Sequence, residues 1–300
     1  MSSCSIVIPT HNRADLLKRA VRSALVACPV DGEVLVVDDK SRIPATEALA
    51  EVTDQRLRII LSPGVTKGVA SARNWGVAQA NADLIFFLDD DDEILPDYCQ
   101  RVVSVRVMIK DSAWGFASTV ERWGDVSNLR DIPRKRVRLK RGEVGKNSRP
   151  HDLIAAVSDG FWIQRNIFLK MGGFNPSLTI DEDTDLCVRL IANQHMPWYE
   201  VLPGTVVYRG YQPVDQAGAQ LTIATPNVQG VICYRFTHDN SAFAYKSFSA
   251  MRWFLCTRYL RKAAKAGLWN EAMKFASQQN SFFLRWLLIA FVQVKKISYR

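Results

Sequence analysis

The chain has 300 residues, 48% of them apolar, and a formal net charge of +9, which is enough for one large domain, or a domain with an appendage, around a sizeable core. Its six cysteines (Cys4, Cys28, Cys99, Cys187, Cys233 and Cys256) stand far apart, with no Cys-x-x-Cys pair and no histidine at finger spacing, so a disulfide framework and a zinc site are both disfavoured. Residues 213–300 hold 12 Lys+Arg and 3 Asp+Glu, which leaves 27 of each before them from totals of 39 and 30, and turns the C-terminal part toward an anionic surface. The first residues, Met1 to Pro9, lack the basic and long apolar regions of a signal peptide. The expected compartment is the cytoplasm.

Ser5 to Pro9 is expected as a strand, and Asn12 to Ala27 then sets Leu16, Leu17, Ala20, Val21, Ala24 and Leu25 at helical spacing. Strands are expected again at Glu33 to Val37, Leu57 to Leu61 and Leu84 to Leu88, with a helix from Gly68 through Ala80. This rhythm predicts a Rossmann-like, mostly parallel sheet flanked by helices, with right-handed crossovers. The turn after the first strand is Pro9-Thr10-His11-Asn12-Arg13 rather than GxGxxG, and no GxxxxGK[ST] follows. A phosphate-bearing ligand would therefore need a metal and cations, with Arg13 and Arg73 as candidates, instead of a glycine-rich loop.

In Leu84 to Leu95 an apolar strand runs directly into the four carboxylates Asp89, Asp90, Asp91 and Asp92. A run without alternation fits a strand covered on both faces, and the acids then emerge at the sheet edge where open α/β folds bind ligands. Adjacent carboxylates repel unless a cation sits among them, and Mg2+ takes one or two carboxylates together with phosphate oxygens. The competing reading is an acidic turn before a helix opened by Pro96.

SIVIPTHNR, VLVVDDKS, GVASARNWGVAQANADLIFFLDDDD and GGF followed by EDTDLCVRL, in that order, resemble the family 2 glycosyltransferases over about residues 4 to 210. The resemblance implies a GT-A fold in residues 1–212 and an inverting nucleotide-sugar transferase. Asp89, Asp90 and Asp91 would form the DxD element on the donor diphosphate, with Asp91 and Asp89 on a divalent cation (Mg2+ or Mn2+). Pro9, Thr10, Arg13, Asp38 and Asp39 would line the nucleoside pocket, and Arg73 would approach the base or diphosphate. The family often has Asp-Asp-Gly-Ser where this chain has Asp38-Asp39-Lys40-Ser41, which leaves the turn and the accepted base open. A UDP-sugar is the first donor expected, and a glycan or lipid-linked species the acceptor.

An inverting transfer also needs a carboxylate base for the acceptor hydroxyl. The acids Asp181, Glu182, Asp183 and Asp185 crowd the start of an expected helix; the resemblance puts the base here, Asp183 first and Glu182 second, whereas charge pattern alone fits acids complementing a helix dipole. Trp162 lies in the stretch that would face the acceptor, either stacked on a sugar or buried in the core. Arg130 to Arg149, with nine basic residues, is expected as an exposed loop, solvated or docking an anionic acceptor.

From about Pro213 the alternation stops, and residues 213–300 read as a basic, amphipathic helical appendage. One helix is expected from Ser247 to Ala266 and a second from about Asn270 into Val292, too short and too broken by Arg285 to span a bilayer. The pair either grips an anionic membrane from the cytoplasmic side or packs on the catalytic domain. Nucleic acid is not an expected partner. A sugar-nucleotide nucleotidyltransferase and a noncatalytic polymer or membrane binder are the competing functions.

Overall fold

Alternation along the first strand shows how the sheet is built. In β1 (Ser5–Thr10) Val7 enters one buried layer while Ile6 and Ile8 enter the other, because successive strand side chains point to opposite faces. The same split recurs in β2 (Glu33–Asp38) and, after β3 (Leu57–Leu61), in β4 (Leu84–Phe87), where Ile85 and Phe87 oppose Leu84 and Phe86. Phe87 packs on Phe161, Phe168 and Phe174, and Phe86 on Tyr98. An unbroken apolar run therefore marks a sheet covered on both sides.

The computed structural model describes residues 3–64, 68–106, 112–124, 128–145, 147–209, 227–241 and 249–298. α1 (Ala14–Ala27) covers the Ile6 face through Leu17, Ala20, Val21 and Ala24. After the short turn α2 (Ala45–Ala48), α3 (Val69–Gln79) covers the Val7 face. A Cβ on Gly76 would lie 2.5 Å from Val7 Cγ1, so α3 sits this close to β1 only because residue 76 is glycine. Then come β5 (Glu93–Ile94), α4 (Tyr98–Arg106), β6 (Trp114–Trp123), β7 (Arg130–Arg134), β8 (Gly142–Glu143), α5 (Pro150–Leu153), β9 (Trp162–Gln164), α6 (Arg165–Lys170), α7 (Glu182–Ala192) and β10 (Trp198–Arg209).

The strand order is β3-β2-β1-β4-β9-β6-β10-β5, with β7 paired to β6 and β8 to β10. The first four strands are parallel, as are β6 and β10, while β9 runs antiparallel to both β4 and β6. The order reverses between β1 and β4, which opens a crevice beyond their carboxyl ends. Arg130 to Arg149 is not one loop: it contributes β7 and β8, and most of its basic side chains remain exposed.

The C-terminal helices α8 (Asn227–Ser241), α9 (Ala250–Lys265), α10 (Trp269–Ser277) and α11 (Phe282–Ser298) enclose a core of their own, built on Tyr259, Leu260, Phe275, Leu284 and Leu288. The helix expected from Asn270 into Val292 is in fact two, because Ser281 Oγ accepts from Leu284 N at 3.3 Å and caps α11. Met251 and Leu255 of α9 join the same core as Leu186 and Leu190 of α7, and Cys233 of α8 meets Leu178 and Ile180. α8 and α9 are thus packed on the central sheet's helical layer. The boundary expected at 212/213 lies outside the described residues.

Candidate active site

The four carboxylates do not cap a helix. They form a loop between β4 and β5, closed by Asp92 N donating to Asp89 O at 3.1 Å, and β5 pairs with β10 through Thr205↔Ile94 and Val206↔Glu93. α4 begins only at Tyr98. Within this loop Asp90 turns back into the protein, accepting from Thr10 Oγ1 at 2.8 Å and Arg13 Nη1 at 3.0 Å. Asp89, Asp91 and Asp92 converge, with one ligand atom from each within 4.8 Å of the others. Burial raises the Asp90 carboxyl to about 6, against the pull of Arg13. Burial also raises Asp91 and, further, Asp92, and neighbouring carboxylates add to both shifts. Three oxygen donors whose charges destabilise one another are a donor set that a hard divalent cation fits.

Two groups outside the acidic run hold this loop. Arg19 of α1 donates to Asp91 O at 2.5 Å and lies over the Tyr208 ring at 3.6 Å. At the end of β10, Tyr208 N donates to Asp92 Oδ1 at 3.1 Å and its hydroxyl to Glu93 Oε1 at 2.6 Å. Neither Asp92 nor Tyr208 was singled out from the sequence.

The acids at the start of α7 are sorted by their cations. Asp181, with φ of 74°, is in the left-handed region that a non-glycine residue occupies at a cost on the order of 1–3 kcal/mol, and its carboxylate lies 2.5 Å from Arg258 Nη1. Glu182 Oε1 accepts from Arg73 Nη1 at 2.7 Å, and Asp185 pairs with Arg189 at 2.7 Å. Asp183 forms no ion pair among the described residues and is half-buried. Burial pushes its carboxyl up, against Arg258, and pushes Glu182 to about 7, against Arg73. Arg73 is 3% exposed and also pairs with Asp89. Burial opposes its charge, but Asp89 and Glu182 outweigh that and hold it above the usual guanidinium value. Arg73 therefore bridges the two acidic runs.

Pro9, Arg13, Arg73, Asp89, Asp90, Asp91, Asp92, Glu182 and Asp183 all line one cavity of about 330 Å³, together with Ala156, Ser158, Tyr208 and Arg209. Thr10 stands behind it through Asp90. Asp38 does not line it: its two carboxylate oxygens accept from Ser41 N and Ala45 N, both at 2.8 Å, so it shapes the following turn. Asp39 sits at the rim, its Oδ2 accepting from Gly68 N at 3.1 Å. Lys40, where glycine was the familiar residue, takes φ of 63°, so the left-handed turn is kept without glycine. Trp162 corrects an expectation. It is 2% exposed within the core, against Gly115, and offers no face to an acceptor.

The basic segment is anchored on the cavity wall. Arg136 Nη2 donates to Ile154 O at 2.9 Å and Asp159 Oδ2 at 3.1 Å, on either side of the lining residues Ala156 and Ser158.

The family Glycosyl transferase family 2 matches residues 5–172, and the chain belongs to it. Its fold is the GT-A fold. Succinoglycan biosynthesis protein ExoO of Rhizobium meliloti is 36% identical over 99 residues, 33% of this chain and 28% of that protein. GalNAc(5)-diNAcBac-PP-undecaprenol beta-1,3-glucosyltransferase of Campylobacter jejuni is 33% identical over 97 residues, 32% of this chain and 31% of that protein. The matched stretch is thus about a third of the length of these curated relatives. Among solved structures, S. aureus TarS 1–349 in complex with UDP-GlcNAc superposes with a TM-score of 0.70 at 17% identity, covering 99% of this chain and 89% of that one.

Proposed function

We propose that the chain transfers a sugar, with inversion, from a nucleoside diphosphate donor to a glycan or lipid-linked acceptor in the making of a polysaccharide or cell-surface glycan. The observation that carries this reading is one cavity lined both by the Asp89, Asp91 and Asp92 cluster and by the half-buried Asp183. A UDP-sugar is the donor put forward first, supported by a similar fold that binds UDP-GlcNAc. Asp89, Asp91 and Asp92 would hold Mg2+ or Mn2+, which would offset charge on the departing diphosphate.

The remaining chemistry falls to the chain. Arg13 and Arg73 hold the carboxylates in place and bring positive charge to the diphosphate side of the cavity. The acceptor oxygen forms its bond to the anomeric carbon while that carbon's bond to the diphosphate oxygen breaks, and the nucleoside diphosphate leaves with the electron pair. Asp183 takes the hydroxyl proton, for which a raised carboxyl suits it. Glu182, tied to Arg73, is the supporting carboxylate.

The acceptor is proposed to be met at an anionic membrane surface, from the cytoplasmic side. α11 buries Leu284, Leu288 and Val292, while Phe282, Trp286 and Ile297 are 81%, 62% and 74% exposed. By helical periodicity these three share the opposite face, flanked by Arg285 and Lys296. Among the described residues no helix is long and apolar enough to cross a membrane.

Calorimetry with UDP, GDP, dTDP and CDP, each with Mn2+ and again with EDTA, tests the donor reading. Metal-dependent binding of one nucleotide is expected; binding indifferent to metal and base would overturn it. Sedimentation with phosphatidylglycerol vesicles tests the surface: Trp286→Ser should weaken it, and equal sedimentation of the two proteins would count against α11.

A further inference from the structure

The carboxylate assigned as base is held from outside the catalytic sheet. The geometry points to Arg258, on α9 of the C-terminal helices, as the positioning residue of Asp183. Arg258 Nη1 donates to Thr184 Oγ1 at 2.6 Å and stands 2.5 Å from Asp181 Oδ1. Thr184 in turn donates to Asp183 Oδ1 from its backbone N at 2.6 Å and from its hydroxyl at 3.3 Å. One guanidinium thus grips the residues on both sides of Asp183.

Each grip has a physical purpose. The Asp181 side chain is 1% exposed, and a carboxylate buried that deeply requires a cation. Its left-handed backbone sets the direction in which α7 begins, and hence where Asp183 points. The Thr184 hydroxyl could rotate; accepting from Arg258 leaves its hydrogen for Asp183. Arg258 is itself confined, its guanidinium 4.5 Å from the Tyr234 ring of α8 and 6.0 Å from Phe254. The C-terminal helices therefore support the site from behind its lining, through Asp181 and Thr184.

A displacement of about 1 Å in a reacting group reduces turnover on the order of 100-fold, so Arg258→Met should lower kcat by at least about tenfold while donor KM stays within about twofold. Arg258→Lys, which keeps the charge but loses the planar guanidinium that is confined against the Tyr234 ring, should recover part of the loss. Hydrogen exchange on the full chain provides a readout independent of turnover. In Arg258→Met the amides of residues 181–185 should exchange at least about tenfold faster, with β1 and β4 unchanged. Thr184→Val serves as a second variant that keeps the Asp181 pair and should lower kcat without loosening the 181–182 amides. Unchanged exchange in Arg258→Met overturns the assignment, as does a rise in donor KM that accounts for the whole loss. The kcat arm rests on the transferase reading. If the unaltered chain transferred no sugar, that reading would fall while the exchange result still decided the role of Arg258.

Discussion

The two acidic runs look alike in sequence and are opposites in structure. Asp89 to Asp92 lies at a strand end, where Asp89, Asp91 and Asp92 share one small volume; Arg73 serves Asp89, Arg13 serves both Asp90 and Asp91, and Asp92 has no ion pair among the described residues. Asp181 to Asp185 begins a helix, and each acid but Asp183 is paired with a different arginine, Arg258, Arg73 or Arg189, of which Arg73 is shared with Asp89. A run of acids acquires its role from the cations that surround it. Where the acids converge on one volume around two arginines, the site suits a metal; where separate arginines hold them apart, the one left over suits proton transfer.

The sharpest way to break this contrast is to neutralise one member of each run. Asp183→Asn should lower kcat by about 100- to 10,000-fold, the range for a general base, while calorimetric nucleotide affinity stays within about twofold. Asp91→Asn should lower turnover on the order of 1000-fold, from several kcal/mol of lost charge stabilisation, and should also abolish the Mn2+ dependence of nucleotide binding. If the two variants behaved alike, the division between the runs would fail.

Removing the bridge comes next. Arg73→Met strands Glu182 and Asp89 without their shared cation and should destabilise the fold by about 3 kcal/mol, read by chemical denaturation. A smaller effect appears in pH. Asp181 and Glu182 have folded-state pKa values raised to about 6 and about 7, chiefly by burial. Their contribution is present in full below the unfolded carboxyl value of about 4 and is lost as pH rises through 6 to 7. Stability should therefore decline across that window, and Asp181→Asn should flatten the lower part of the decline. Smallest of all, Asp185→Asn keeps an acceptor for Arg189 and should cost about 0.5–1 kcal/mol with kcat unchanged.

Much of the catalytic half was legible because its signals are local. The strands at Leu57–Leu61 and Leu84–Phe87 and the helices at Ala14–Ala27 and Val69–Gln79 follow from apolar periodicity. The break between α10 and α11 was missed although Ser281 is a favourable cap, since the apolar pattern continues on both sides of it. Trp162 was left between the core and the acceptor because a tryptophan's sequence neighbours do not say which side of a strand is covered. β7 and β8 were taken as loop because strands this short and polar lack the apolar alternation that marks a half-buried one.

By itself the amino-acid sequence determined the strand and helix rhythm, the two acidic runs and their order, and the concentration of positive charge after residue 212. Each depends on residues a few positions apart, within reach of backbone periodicity. Only the tertiary structure decided that Asp90 serves Thr10 and Arg13 while Asp89, Asp91 and Asp92 converge, and that Arg73 reaches Glu182, 109 residues away. It alone brought Arg258 to Thr184, across 74 residues. Such pairings are made by the sheet order and the docking of α9 on α7. No local pattern encodes them, because a buried charge finds its partner through the packing of the whole fold.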